Sequence, residues 1–142
     1  MHPRLLLIVT ACVETATGLC LLSLPTVVFA IILGLEHPKV DTILVGRLAG
    51  AALFAIGVAS WIARADTLTH AHLGLLIGVL VYNVLASILL AFAGVILQMT
   101  GALLWPAVAL HAVLATWCFS CLRSDIAAKG YPFWRSTFTL RE

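Results

Sequence analysis

The chain alternates between long apolar segments and short polar ones, and this pattern predicts its helices. The apolar segments cover residues 5–24, 43–63, 73–97 and 102–122. Each is long enough to cross a membrane as an α-helix, which takes about 20 residues. A shorter apolar segment at 26–35 follows Pro25 and is too short to span at about 1.5 Å per residue. We interpret it as a short extra helix at the membrane surface; the alternative is that it extends a tilted first helix past Pro25.

The expected fold is therefore all-α: one transmembrane domain over residues 1–142, built as an integral membrane four-helix bundle with a short interfacial helix after the first span. Residues 123–142 are expected to form a polar cytoplasmic tail. Composition agrees, because 63% of the residues are hydrophobic and only 10% are charged, against about 25% charged in soluble domains. A net charge of +2 gives no indication of a nucleic-acid partner.

The positions of Lys and Arg predict how the helices are oriented. Six of these residues flank the span ends on the N-terminal side: Arg4, Arg64, Arg123, Lys129, Arg135 and Arg141. Only Lys39 lies on the opposite side, while Arg47 lies inside a span. Because basic residues are retained in the cytoplasm, both termini are expected there, in a multi-pass protein of the bacterial inner membrane.

Polar side chains inside the spans are the candidate site. Counted from the predicted cytoplasmic end of each span, Glu14, Asn83 and His111 lie about 14 to 17 Å deep, near the middle of the membrane. Tyr82 is next to Asn83 but about 100° around the helix. Arg47 lies about 10 Å closer to the outer surface, and its long side chain can reach inward or extend to that surface.

Two interpretations of these polar residues stay open. Glu14, His111 and Asn83 can form a structural clasp, since buried polar groups often fix helix register in membranes. Alternatively, they line a site for a proton, a quinone head group or a small polar ligand, because an intramembrane carboxylate is costly and usually functional.

Gly46, Gly50 and Gly57 recur at helical spacing in the second span. Small residues at such positions let helix backbones approach closely. We therefore predict that they pack against another helix.

Cys118 and Cys121 match the C-x-x-C spacing of redox pairs, and four-helix membrane thiol oxidoreductases invite comparison. Those enzymes require a second cysteine pair in a loop, which this chain lacks. We interpret Cys118 and Cys121 as buried apolar side chains instead.

A membrane haem held by two histidines requires two intramembrane ligands, and only His111 qualifies unless a symmetric dimer supplies another. His70 and His72 flank a predicted loop and are expected to be solvated. No metal site is expected.

Several segments resemble small bacterial inner-membrane four-helix proteins of uncharacterised function: the Thr17-Gly18-Leu19 turn, Gly46–Trp61 and Leu104–Cys118. That resemblance implies a fold and a location but no chemistry. A lone carboxylate in the first helix also resembles the small multidrug resistance exporters. The likeness ends there, because those exporters lack the polar loop, the buried Arg47 and the tail.

The sequence thus favours a non-catalytic binding or accessory protein for lipid, quinone or partner helices, acting as a homo-oligomer or within a larger membrane complex. No residue is identified as catalytic. One alternative is a proton-coupled transporter of a small solute that uses Glu14. The other is an electron-transfer subunit that binds haem or quinone through His111.

Overall fold

A computed structural model describes residues 3–66 and 70–129, with side chains described through Ser124. This part of the chain is all-helical, as predicted. Its five helices are α1 (Pro3–Ser23), α2 (Pro25–Leu33), α3 (Val40–Ala63), α4 (His70–Val95) and α5 (Leu104–Lys129). Helices α1, α3, α4 and the part of α5 up to Ser124 are long and apolar enough to cross a membrane.

The helix ends differ from the predicted ones on the side that carries the basic residues. Helix α4 begins at His70, so both histidines of the predicted loop are helical. The prediction that His72 is solvated is wrong, because only 2% of its surface is exposed. Helix α5 continues to Lys129, and therefore the predicted tail starts as helix; residues 130–142 lie outside the described part.

Helix α2 is a separate helix and not a continuation of α1. Pro25 starts it, and the backbone of Leu24 leaves the helical region at φ −132° and ψ 53°. It ends at Gly34, whose φ of +73° is a conformation that glycine adopts without strain. The amides of Gly34 and Leu35 donate to Ala30 and Phe29 at 3.0 and 3.2 Å, which closes the helix end.

Helices α1 and α3 form one antiparallel pair, and it is the most extensive helix contact in the structure. A Cβ atom added to Gly50 would lie 2.8 Å from Leu21 Cβ and 2.9 Å from the Gly18 carbonyl oxygen. A Cβ atom added to Gly57 would lie 2.8 Å from the backbone nitrogen of Thr15. The absence of side chains at these positions therefore allows the two backbones to approach.

Helices α4 and α5 form the second antiparallel pair. The Cys118 thiol donates to the Leu76 carbonyl at 3.2 Å, and the Ser87 hydroxyl donates to the Val108 carbonyl at 3.3 Å. The Cys118 and Cys121 side chains are both buried.

The two helix pairs share an apolar core at one end, and α2 is joined to the α4–α5 loop at the other. At one end, residues from α1, α4 and α5 form the apolar core: Leu6, Leu7, Leu76, Val79, Leu114, Cys118, Cys121 and Leu122. At the other end, the Leu103 amide donates to the Ile31 carbonyl at 3.0 Å, which ties the α4–α5 loop to α2. Contacts between α3 and α4 are few.

Candidate functional site

A groove of about 380 Å³ opens between the two helix pairs, on the side of α2. Its walls are apolar over most of their length, and residues from all five helices line it: Thr17, Leu21, Val28, Phe29, Ile32, Leu33, Leu53, Tyr82, Leu85, Ala86, Leu89, Leu90 and His111. Along α4 the lining starts at Tyr82 and continues toward the C-terminal end of that helix. Tyr82 and His111 therefore form a polar end to a groove whose other lining residues are apolar except for Thr17.

Glu14 lies behind this polar end. Its side chain is 1% exposed and forms a hydrogen bond with the hydroxyl of Tyr82. Its Oε1 atom has no hydrogen-bond partner among the described residues. A buried carboxylate with an unused oxygen is costly, and Tyr82 is its connection to the groove.

His111 is held by Asn83, the residue next to Tyr82. The His111 Nδ1 and Asn83 Oδ1 atoms are 2.9 Å apart. On its other side, the Asn83 amide nitrogen donates to the Val79 carbonyl of its own helix at 2.8 Å. Asn83 is fully buried and does not line the groove, so its role is to orient the histidine.

The Tyr82 and His111 rings touch edge to face, with centroids 5.6 Å apart and planes at 87°. This geometry is a favourable one for aromatic pairs. It joins the Glu14–Tyr82 pair to the Asn83–His111 pair, so that three helices contribute to one polar cluster. We refer to Glu14, Tyr82, Asn83 and His111 as the polar cluster.

The structure thus brings together four of the five polar residues that the sequence singled out. Arg47 is the exception, because it is exposed on α3 and does not line the groove. The three predicted packing glycines lie in the interior: Gly50 and Gly57 contact α1, and the ring of Phe29 on α2 covers Gly46. Helix α2 is thereby held against α3 as one wall of the groove.

Two features of the site were not predicted from the sequence. The first is the bond from Tyr82 to Glu14, since Tyr82 was noted only as a neighbour of Asn83. The second is that Thr17 lines the groove, where it is a third polar side chain besides Tyr82 and His111. Thr17 lies three residues after Glu14, a spacing that shares a helix face, and this was the available signal.

The described residues contain no group of three or more His, Cys, Asp or Glu side chains placed to hold a metal ion. Hydrogen bonding and shape are what the site offers a ligand. Comparisons with protein-family models, with curated proteins and with solved structures find no match.

Proposed function

We propose that this chain is a multi-pass protein of the bacterial inner membrane that binds a single amphiphilic molecule, a lipid or a quinone, without transforming it. The observation that carries the proposal is the groove, with apolar walls along its length and Tyr82 and His111 at one end. An amphiphile has the matching layout, an apolar chain and one polar head group. At about 380 Å³ the groove lies at the lower end of the usual range for ligand sites, roughly 300–1,000 Å³.

The polar end is where such a ligand is selected. Inside a bilayer, apolar walls provide no net hydrophobic attraction, because lipid tails are as apolar as leucine. Specific affinity must then come from shape and from hydrogen bonds to the head group. Tyr82 and His111 supply those bonds, and Glu14 and Asn83 fix their positions.

In the orientation favoured by the basic residues, the groove lies in the outer half of the membrane, with its polar end near the middle. The apolar chain of the ligand then runs from the polar cluster toward α2. Entry is lateral, from the lipid, since the groove is open to the surroundings of the helices.

The test is saturable binding of a tail-fluorinated dodecanol to the protein in lipid nanodiscs, measured by ¹⁹F NMR as a resonance absent from empty nanodiscs. Filling the groove by Ala86→Phe should weaken binding at least tenfold. The matched control is Ala55→Phe, at an exposed position of α3 outside the groove, which should bind as the natural protein does. Equal weakening by both variants contradicts the proposal. So does the absence of a saturable resonance from dodecanol, its methyl ether, a fluorinated dodecyl hydroquinone and the corresponding benzoquinone.

A second function, proton-coupled transport of a small solute, is favoured by one observation. Glu14 is buried, has an unused oxygen, and reaches the groove through the Tyr82 hydroxyl. A proton on Glu14 can therefore affect a ligand in the groove. With a mixture of small solutes present, proteoliposomes containing the natural protein should then dissipate an imposed pH gradient faster than those containing Glu14→Gln, whose side chain does not titrate; equal rates would contradict this function.

A further inference from the structure

We infer that the groove recognises a neutral head group carrying a hydroxyl, which donates a hydrogen bond to Nε2 of His111. This inference rests on the proposed binding function and adds the chemical class of the ligand. Two kinds of molecule have this chemistry, a long-chain alcohol and a hydroquinone with an apolar chain.

The Val79 carbonyl can only accept a hydrogen bond. The nitrogen of the Asn83 side-chain amide must therefore face this carbonyl, and it does so at 2.8 Å. The oxygen of that amide is then the atom 2.9 Å from His111 Nδ1. Because an amide oxygen only accepts, Nδ1 must carry the hydrogen.

A hydrogen on Nδ1 leaves Nε2 of the neutral imidazole as an acceptor. Asn83 lies outside the groove, while His111 lines it, so Nε2 is the ring nitrogen that remains for a ligand. An acceptor selects a donor. A hydroxyl satisfies it, whereas an ether oxygen or a quinone carbonyl places a second acceptor against it.

The surroundings of the groove favour a head group without charge. None of the lining residues is charged, and Arg47 is exposed elsewhere. A phosphate in the groove would therefore lack a cationic partner, and it would lie close to the carboxyl group of Glu14. In the predicted orientation it would also have to reach the middle of the membrane, where a charge is costly.

Matched ligands test the inference with the same ¹⁹F measurement in nanodiscs, at pH 7.5 and without oxygen. The fluorinated dodecanol is compared with its methyl ether, and a fluorinated dodecyl hydroquinone with the corresponding benzoquinone. We expect each hydroxyl compound to bind about tenfold more tightly than its partner. The hydroxyl donates a hydrogen bond to Nε2 of His111, whereas the partner compound leaves this acceptor unpaired. Tight binding of the hydroquinone alone would identify an aromatic ligand, and tight binding of both hydroxyl compounds an alcohol group in general.

His111→Asn separates the two ring nitrogens. Asparagine keeps a donor near the position of Nδ1 but has no group at that of Nε2, so the ratio of alcohol to ether affinity should fall to about one. The natural protein gives an independent measurement: with ¹⁵N-labelled histidine, the Nδ1 of His111 should carry the hydrogen, and the Nε2 resonance should shift when dodecanol is added.

The outcomes distinguish this inference from the function on which it rests. Saturable binding with equal affinity for alcohol and ether, or a hydrogen on Nε2, overturns the hydroxyl inference and leaves amphiphile binding in place. The absence of saturable binding by all four compounds overturns both.

Discussion

Glu14 and His111 both find their partner on α4, and those partners are neighbours in sequence. Residues adjacent on a helix point about 100° apart, so Tyr82 is able to meet Glu14 of α1 while Asn83 meets His111 of α5. The sequence placed Glu14, Asn83 and His111 at one depth, and the structure puts them in one cluster. The pairing itself was not predictable, because depth along a helix does not say which neighbouring helix a side chain faces.

Removing the Tyr82 hydroxyl tests the first pair. Tyr82→Phe should destabilise the protein by about 1 kcal/mol, within the range for hydrogen bonds between helices in membranes, since Glu14 then loses its partner. In a Glu14→Leu background the same substitution should cost much less, because no carboxyl group is left to pair. Reversible unfolding in mixed micelles measures both values.

The matching control combines Glu14→Gln with His111→Ala. These two residues bond to different partners, so their effects should be closer to additive than those of Glu14 and Tyr82. A stronger coupling between Glu14 and His111 would mean that they form the direct clasp and that Tyr82 is incidental.

Among the elements, the contact of α1 with α3 depends most on residues without side chains. The glycine spacing in α3 was visible in the sequence, and Gly50 and Gly57 both pack on α1. Gly46 differs, because its neighbour is Phe29 on the short helix α2. Spacing identifies a face that packs closely, but it does not name the helix that packs there.

Gly50 and Gly78 form a matched pair for testing this contact. A Cβ at Gly50 would lie 2.8 Å from Leu21 Cβ, whereas nothing lies within 4 Å of one at Gly78. Alanine is favoured over glycine in a helix by about 1 kcal/mol, so Gly78→Ala should leave stability unchanged or raised. Gly50→Ala should lower it despite the same gain, and Gly50→Leu should reduce the yield of monodisperse protein in detergent. Similar effects at both positions would show that α3 does not depend on Gly50 to approach α1.

For the molecule as a whole, hydropathy predicted the number of long helices and the separate short one. It could not predict the groove, which lies between two close helix pairs, α1 with α3 and α4 with α5, that contact each other less than the helices within each pair do. The buried position of His72 was missed because a polar residue beside a loop is usually solvated, and burial depends on tertiary packing that hydropathy does not describe.

The orientation of the whole molecule in the membrane is a prediction from charge. Six Lys and Arg residues flank the span ends on one side and only one flanks those on the other, so both termini should be cytoplasmic. A phosphatase reporter that is active only outside the cytoplasm should be silent after Glu142 and active after Gln98. The reverse pattern would place the groove in the inner half of the membrane.

Photolabelling in native membranes tests most directly whether the groove holds an amphiphile. A dodecanol with a diazirine in its chain should label groove residues such as Leu21 and Phe29, and an excess of plain dodecanol should suppress that labelling. The excess of plain dodecanol should not suppress labelling of Leu48 or Ile62, which are 64% and 67% exposed and lie outside the groove. Labelling confined to Leu48, Ile62 and similar exposed positions, or insensitive to competition everywhere, would show that the groove holds no specific ligand.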